Sequence, residues 1–280
     1  MIQSDQSIVL GIDLGTTYSA MAYVNYDGRP EIIPNAEGDR LTPSVVFFDG
    51  MDFVVGQPAK DAGIAAPDLV AQLFKPKIAT DWAWDVRGRR FTPVDLSAAV
   101  LTKLHRDAAE FLKTPVTQAV ITVPAYFGEA QRRLTQEAAS RAGLQVLKLL
   151  NEPTAAAIVS GTIGRVKNET ILVYDLGGGT FDVTICLVSN LQVDVLATYG
   201  STDLGGKNFD ERILEFVSNE FSLRHGFDPK QDKEALGELY SRVVRAKHQL
   251  STLDSTTVAV TANGHRLSVP ITRAEFEALS

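Results

Sequence analysis

Val9-Leu10-Gly11-Ile12-Asp13-Leu14-Gly15-Thr16-Thr17, near the start of the chain, is answered more than half the chain later by Ile171-Leu172-Val173-Tyr174-Asp175-Leu176-Gly177-Gly178-Gly179-Thr180. Each stretch is an apolar run ending in an acid, then a glycine turn, then threonine, then a second apolar run. Self-similarity of this kind predicts two related lobes, each opening with the same hairpin. Glycine permits positive φ and, lacking Cβ, lets backbone approach a ligand closely. Successive N–H groups of such a turn converge on an anion. The acid at the strand end supplies negative charge where a cation such as Mg²⁺ sits, directly or through water. One such turn is a weak signal, because hairpin tips favour Asp-Gly for conformational reasons alone. Two copies, with Asp182 just after the second, make a paired phosphate clamp the stronger reading. No Gly-Lys-Ser/Thr follows either turn, and the Rossmann glycine spacing is absent.

The rest of the 280-residue chain is 45% hydrophobic and 22% charged, an ordinary composition for one large or two medium globular domains. Its formal charge of −7 gives no general attraction for nucleic acid or anionic membrane. The single cysteine, Cys186, excludes an intrachain disulfide framework and reads as a small buried strand residue. His105, His225, His248 and His265 show no zinc-ligand spacing. Met1–Ser7 carries Asp5 and no basic cluster, so no cleaved leader is expected. No apolar run reaches the ~20 residues that span a bilayer, and the expected location is the cytoplasm.

Runs rich in Val and Ile predict strands at Ile8–Leu14, Ser19–Tyr26, Ser44–Phe48, Ala119–Val123, Ile171–Leu176, Val183–Val188 and Val193–Thr198. Helical spacing predicts Leu96–Leu112, with Leu96, Val100, Leu104, Ala108 and Phe111 on one face. Gly128–Ala142, closed by Gly143, Phe209–Arg224 and Ala235–Leu250 also read as helices. Strands mixed with helices indicate an α/β fold. Trp82 and Trp84, near Arg87, Arg89 and Arg90, read as a packed flap.

Ile12-Asp13-Leu14-Gly15-Thr16-Thr17-Tyr18-Ser19 and Val173 to Asp182 resemble the two phosphate loops of DnaK-type heat-shock-protein-70 chaperones. Val120-Ile121-Thr122-Val123-Pro124-Ala125-Tyr126-Phe127, Asn151-Glu152-Pro153-Thr154-Ala155-Ala156-Ala157 and Asp203-Leu204-Gly205-Gly206-Lys207-Asn208-Phe209-Asp210 resemble further segments of the same N-terminal ATPase domain. The likeness runs from about Ile8 to Leu279. It implies a two-lobed actin-like ATPase fold with ribonuclease H-like duplicated lobes. It implies residues 1–38 and 93–170 as an inner first lobe and 39–92 as a shortened outer one. Residues 171–206 would form part of an inner second lobe and 207–280 its outer part.

The resemblance also implies that Mg·ATP binds between the lobes and is hydrolysed, with K⁺ as a further cofactor. Gly15, Thr16, Thr17 and Tyr18 would hold one side of the phosphates, and Gly177, Gly178, Gly179 and Thr180 the other. Asp13, Asp175 and Asp182 would order the metal, mostly through water. Lys77 matches the lysine at the γ-phosphate, with Lys75 as competitor, and Glu152 matches the carboxylate near the attacking water. Gly205 and Gly206 would also bind the nucleotide, and Lys247, His248 and Ser251 would face its nucleoside side. Pro124 and Arg132 match the relay that couples nucleotide state to a docked domain. Implied partners are ATP, unfolded polypeptide clients, a J-domain co-chaperone and a nucleotide exchange factor, with no nucleic acid or membrane.

Departures from the pattern concentrate on the adenine side. Val244 stands where the family has Glu, and His248 where it has a stacking Arg. Lys148 replaces an Arg of the J-domain contact, keeping charge but losing the planar fork. The family's returning adenine loop, final helix and peptide-binding domain are not within these 280 residues, as in a fragment or a shortened relative. An incomplete second lobe is expected to leave sheet and helix surface uncovered and to favour dimerisation or low stability. The alternatives are a relative that binds nucleotide or protein without useful hydrolysis, and a small-molecule kinase on the same fold.

Overall fold

The computed structural model describes residues 8–164, 169–189 and 192–280; the reading of Met1–Ser7 as leader-free lies outside them. Strand β1 (Val9–Asp13) buries Leu10 and Ile12 and exposes Gly11 and Asp13, as the period of two requires. It turns through Gly15 into antiparallel β2 (Tyr18–Val24), which β3 (Pro30–Ile32) extends. The chain then leaves the sheet. Strand β4 (Thr42–Pro43) touches β2, and β5 (Val46–Phe48), β6 (Phe53–Val55), helix α1 (Gln57–Ala65) and β7 (Val70–Ala71) follow. These strands form a small sheet in the order β6-β5-β7. The expected strand Ser44–Phe48 is confined to β5, Val46–Phe48, because the Ser44 side chain is drawn away to the Gly15 carbonyl.

A hairpin of β8 (Trp84–Val86) and β9 (Arg89–Phe91) leads into helix α2 (Pro93–Leu112). The helix starts three residues before the apolar stripe, because Thr92 and Asp95 form a reciprocal capping box with Pro93 at the first position. Leu96, Val100, Leu104 and Ala108 of the expected stripe are fully buried, with Leu101 beside them, but Phe111, expected on the same face, is 47% exposed because it lies in the last turn, beyond the sheet that covers the rest. Strand β10 (Gln118–Val123) then pairs parallel to β1, helix α3 (Glu129–Arg141) crosses over, and β11 (Gln145–Asn151) pairs parallel to β10. The sheet order is β11-β10-β1-β2-β3, with β4 on β2. One continuous core, from Leu10 through Phe48 and Phe91 to Leu144, unites this sheet, its helices and the small β6-β5-β7 sheet.

Helix α4 (Glu152–Gly164) leads to the second repeat: β12 (Glu169–Leu176), β13 (Phe181–Ser189) and β14 (Gln192–Ser201), all antiparallel in that order. The two hairpins share one register: Asp13 faces Ala20 and Asp175 faces Asp182, each seven residues on. Among the described residues β12 and β14 each pair on one side only. Leu172, Tyr174, Leu196 and Tyr199 stand exposed on this sheet. Cys186 is fully buried in β13 beside Ala157 and Val188.

Helices α5 (Gly206–His225) and α6 (Lys233–Leu250), the hairpin β15 (Ser255–Ala262)/β16 (His265–Thr272) and helix α7 (Arg273–Leu279) share a separate core around Ile213, Phe221, Val243 and Val260. Helix α6 also reaches α1. A Cβ at Gly237 would lie 2.6 Å from the Ile64 carbonyl oxygen, and Lys233 pairs with Asp68 at 2.6 Å. Among the described residues no helix is long and apolar enough to cross a membrane.

Candidate functional site

The two glycine turns meet. A Cβ at Gly178 would fall 1.7 Å from Thr17 Oγ1, and one at Gly15 would fall 2.0 Å from the Tyr18 carbonyl oxygen. Real contacts never come so close, so only glycine fits at either position. The first turn is stapled from outside: Ser44 Oγ donates to Gly15 O at 2.8 Å, the Gly15 N–H donates to Ser19 Oγ, and the two buried serine hydroxyls bond at 2.9 Å. The second turn closes by Gly177 N–H on Thr180 O at 2.8 Å. A third glycine pair docks on it, with Gly206 N–H on Gly177 O and Lys207 N–H on Gly178 O. Gly205 has no room for a side chain, since its Cβ would lie 2.5 Å from Gly179 N. The N-terminus of α5 therefore sits against the second turn, where its dipole favours an anion. Thr17 Oγ1 is buried and, among the described residues, has no hydrogen-bond partner. A cradle of glycine backbone with an unsatisfied hydroxyl in it fits a phosphate.

Four carboxylates gather beside the turns. Asp13 and Asp175 end the matching strands, Asp182 faces Asp175 across its hairpin, and Glu152 opens α4. Thr122 of β10 donates to Asp13 Oδ1 at 2.6 Å. Burial chiefly, then Glu152 and Asp175, pushes the Asp182 carboxyl up to about 6. Asp175 is raised by burial and by the Asp13 charge. Glu152 is raised by burial above all, with Asp13 and Asp175 adding to it and Lys75 opposing. The Tyr126 hydroxyl is buried beside Thr180, and its pKa is raised by burial first and then by the carboxylates Asp182 and Glu152. Among the described residues no three carboxylates, histidines or cysteines converge as direct metal ligands. The cluster is a region of concentrated negative charge that a hydrated divalent cation would relieve.

The cation inside this cluster is Lys75. Its Nζ lies 2.6 Å from Glu152 Oε1, with the lysine side chain 6% exposed. Lys77, the residue expected there, is exposed, and its ammonium stands 5.0 Å from the Trp82 ring centroid. The reason is the 3-10 turn Lys75–Lys77, which turns two lysines spaced two apart in different directions. Lys75 follows directly on Phe74, which anchors it in the core. That adjacency was the only sequence signal distinguishing the two.

The remaining expected residues divide. Lys247 donates to Gly206 O at 2.9 Å and pairs with Asp210 at 2.8 Å, so it ties α6 to the third glycine turn. His248, in the last turn of α6, and Ser251, just past its end, are exposed. Arg132 donates from Nε to Phe127 O and from its guanidinium to Asn151 Oδ1 at 2.5 Å. It thereby links the Pro124–Phe127 turn to the residue before Glu152. Ser44, Thr122 and Tyr126 serve the site yet carry no signature of their own; each is an ordinary strand-end or loop residue until the sheet brings it in. The hollow of about 590 Å³ lined by Phe53, Phe91, Asp95 and Arg106 lies elsewhere and contains none of these groups.

The profile of the family described as Hsp70 protein matches residues 9–87 and 79–280. The chaperone protein DnaK of Thermotoga neapolitana is 44% identical over 283 residues, covering 98% of this chain and 48% of the relative. That of Thermosipho melanesiensis is 43% identical over 286 residues, covering 100% of this chain and 48% of the relative. The chain spans about half the length of the curated relatives it matches.

Proposed function

The chain belongs to the Hsp70 family, and on that premise we propose that it is the ATP-binding and ATP-hydrolysing module of a DnaK-type chaperone. The observation that carries this is the face-to-face packing of the two glycine turns beside the buried Lys75–Glu152 pair. The duplicated hairpins support a two-lobed actin-like fold, with inner lobes at 1–38 with 93–170 and at 171–206, and outer lobes at 39–92 and 207–280. The ATP phosphates would lie between Gly15, Thr16, Thr17 and Tyr18 on one side and Gly177, Gly178, Gly179 and Thr180 on the other. Mg²⁺, when bound, neutralises phosphate charge; Asp13, Asp175 and Asp182 would hold its water shell. K⁺ would add to that charge compensation.

Phosphoryl transfer needs positioning and charge compensation more than covalent chemistry. Lys75 supplies a desolvated positive charge that approaching phosphate oxygens strengthen. Glu152, raised by burial and held by Lys75, accepts a hydrogen bond from an attacking water at the position its geometry dictates. Thr180 contributes a hydroxyl at the turn. Gly205 and Gly206, docked on the second turn, would bind nucleotide there, and Lys247, His248 and Ser251 would border the nucleoside. Arg132, bonded to Asn151 next to Glu152, and Pro124 would carry the site's state to a docked domain that binds unfolded polypeptide. J-domain and exchange-factor partners and a cytoplasmic location belong to the same reading.

Single-turnover hydrolysis tests it. Lys75→Ala is expected to lower the rate about 100-fold, the scale of losing one preorganised charge, whereas Lys77→Ala changes it less than about threefold. Unchanged turnover in Lys75→Ala would sink the assignment. Tight ADP and ATP binding with no phosphate release from the unaltered chain would instead establish a nucleotide-binding relative without catalysis.

A further inference from the structure

Lys60, in the first turn of α1, is half-buried. Among the described residues no carboxylate lies within ion-pair distance of it. Its ammonium donates to the Tyr18 hydroxyl at 3.1 Å and stands 5.3 Å from that ring's centroid. The other lysines around the turns are engaged differently. Lys75 is committed to Glu152, Lys207 to Asp203, and Lys247 to Asp210 and the Gly206 carbonyl, while Lys77 is exposed over Trp82.

Tyr18 is the residue directly after Thr17, and its carbonyl is locked against Gly15. Lys60 is thus one side chain away from the first phosphate turn. One helical turn further along α1, Ile64 meets Gly237 of α6, and Asp68 meets Lys233. Lys60 therefore lies near the seam where the segment after β4 meets the segment after β14, held to the residue that follows the first turn. A half-buried ammonium with no carboxylate at ion-pair distance among the described residues, held by a phenol next to an anion cradle, is suited to bind an anion.

We propose that Lys60 is a further nucleotide-binding residue, whose ammonium contacts the anionic polyphosphate from the seam. The inference rests on the proposed nucleotide site and adds to it a residue that the motifs do not contain. It assigns Tyr18 a positioning role through its hydroxyl, separate from its backbone in the turn.

The test is ADP affinity by calorimetry for the unaltered chain, Lys60→Ala and Lys60→Arg, with the thermal midpoint of each measured without nucleotide. The expected result is about tenfold weaker binding in Lys60→Ala, the usual scale of one charge-assisted hydrogen bond. Lys60→Arg should stay within about threefold, and nucleotide-free midpoints should match. ADP should also protect Lys60 from amine acylation followed by mass spectrometry. Equal ADP affinity in Lys60→Ala overturns this inference alone. So does a nucleotide-free midpoint that falls in Lys60→Ala, which would mark the Tyr18 contact as packing. Failure of the unaltered chain to bind ADP overturns the proposed nucleotide site, and this inference with it.

Discussion

Asp182 shows how far a single residue can be shaped by where its strand lies. In sequence it is one of several aspartates; in the fold it faces Asp175 across a hairpin and is 6% exposed. Its carboxyl is pushed up to about 6 from an ordinary 3.8. A carboxyl raised on folding is a cost when ionised. That cost is absent below the unfolded value, grows as pH rises from about 4 to about 6, and is complete above that range. Asp175 and Glu152 are shifted in the same direction. Without added metal, Asp182→Asn is therefore expected to raise the thermal midpoint at pH 7.5 by several degrees, on the order of 2 kcal/mol, and to leave it nearly unchanged near pH 4. Denaturation followed by fluorimetry at both pH values checks this, and an equal shift at both would contradict the assignment. Lys75 and Lys77 make the complementary point. Both were visible in the sequence, but choosing between them needed the direction of one 3-10 turn.

Helix α2 was largely legible because local chemistry and packing agree. Its apolar stripe has the helical period, and every member of Leu96, Val100, Leu104 and Ala108 is buried. Its start is set by local hydrogen bonds. Thr92 Oγ1 accepts from Asp95 N–H, and the Asp95 carboxylate accepts from Thr92 N–H and from Thr92 Oγ1. Thr92→Ala removes the cap and should destabilise the protein by about 1 kcal/mol. Urea denaturation should show a lower midpoint at unchanged slope; no shift would mean that packing alone fixes this end. Helix α1 was missed because its apolar stripe is weak and its boundaries depend on neighbours. It begins after Gly56 at φ 94° and ends where Ala66 N–H bonds back to Ala62 O. Strand β11 and helix α4 were also missed, since the Asn151–Glu152 junction reads equally well as a turn.

Across the whole molecule, the contact between α1 and α6 joins segments that follow different repeats. Alanine normally improves a glycine within a helix by ~1 kcal/mol. At Gly237 the added methyl would lie 2.6 Å from the Ile64 carbonyl oxygen, a backbone atom that cannot rotate away. Gly237→Ala is expected to separate the helices. The thermal midpoint should not rise, and the distance between spin labels placed on α1 and α6 should lengthen. A raised midpoint at an unchanged distance would refute the close contact. The family, the paired turns and their acids were determined by sequence alone, because glycine, threonine and strand-end aspartate are local requirements of the backbone that binds an anion. What only the tertiary structure decided was the company those turns keep. Lys75 on Glu152, Lys60 on Tyr18 and Gly237 against Ile64 join residues 77, 42 and 173 positions apart. Such pairings follow from how sheets and helices close on one another in space, which no local spacing records.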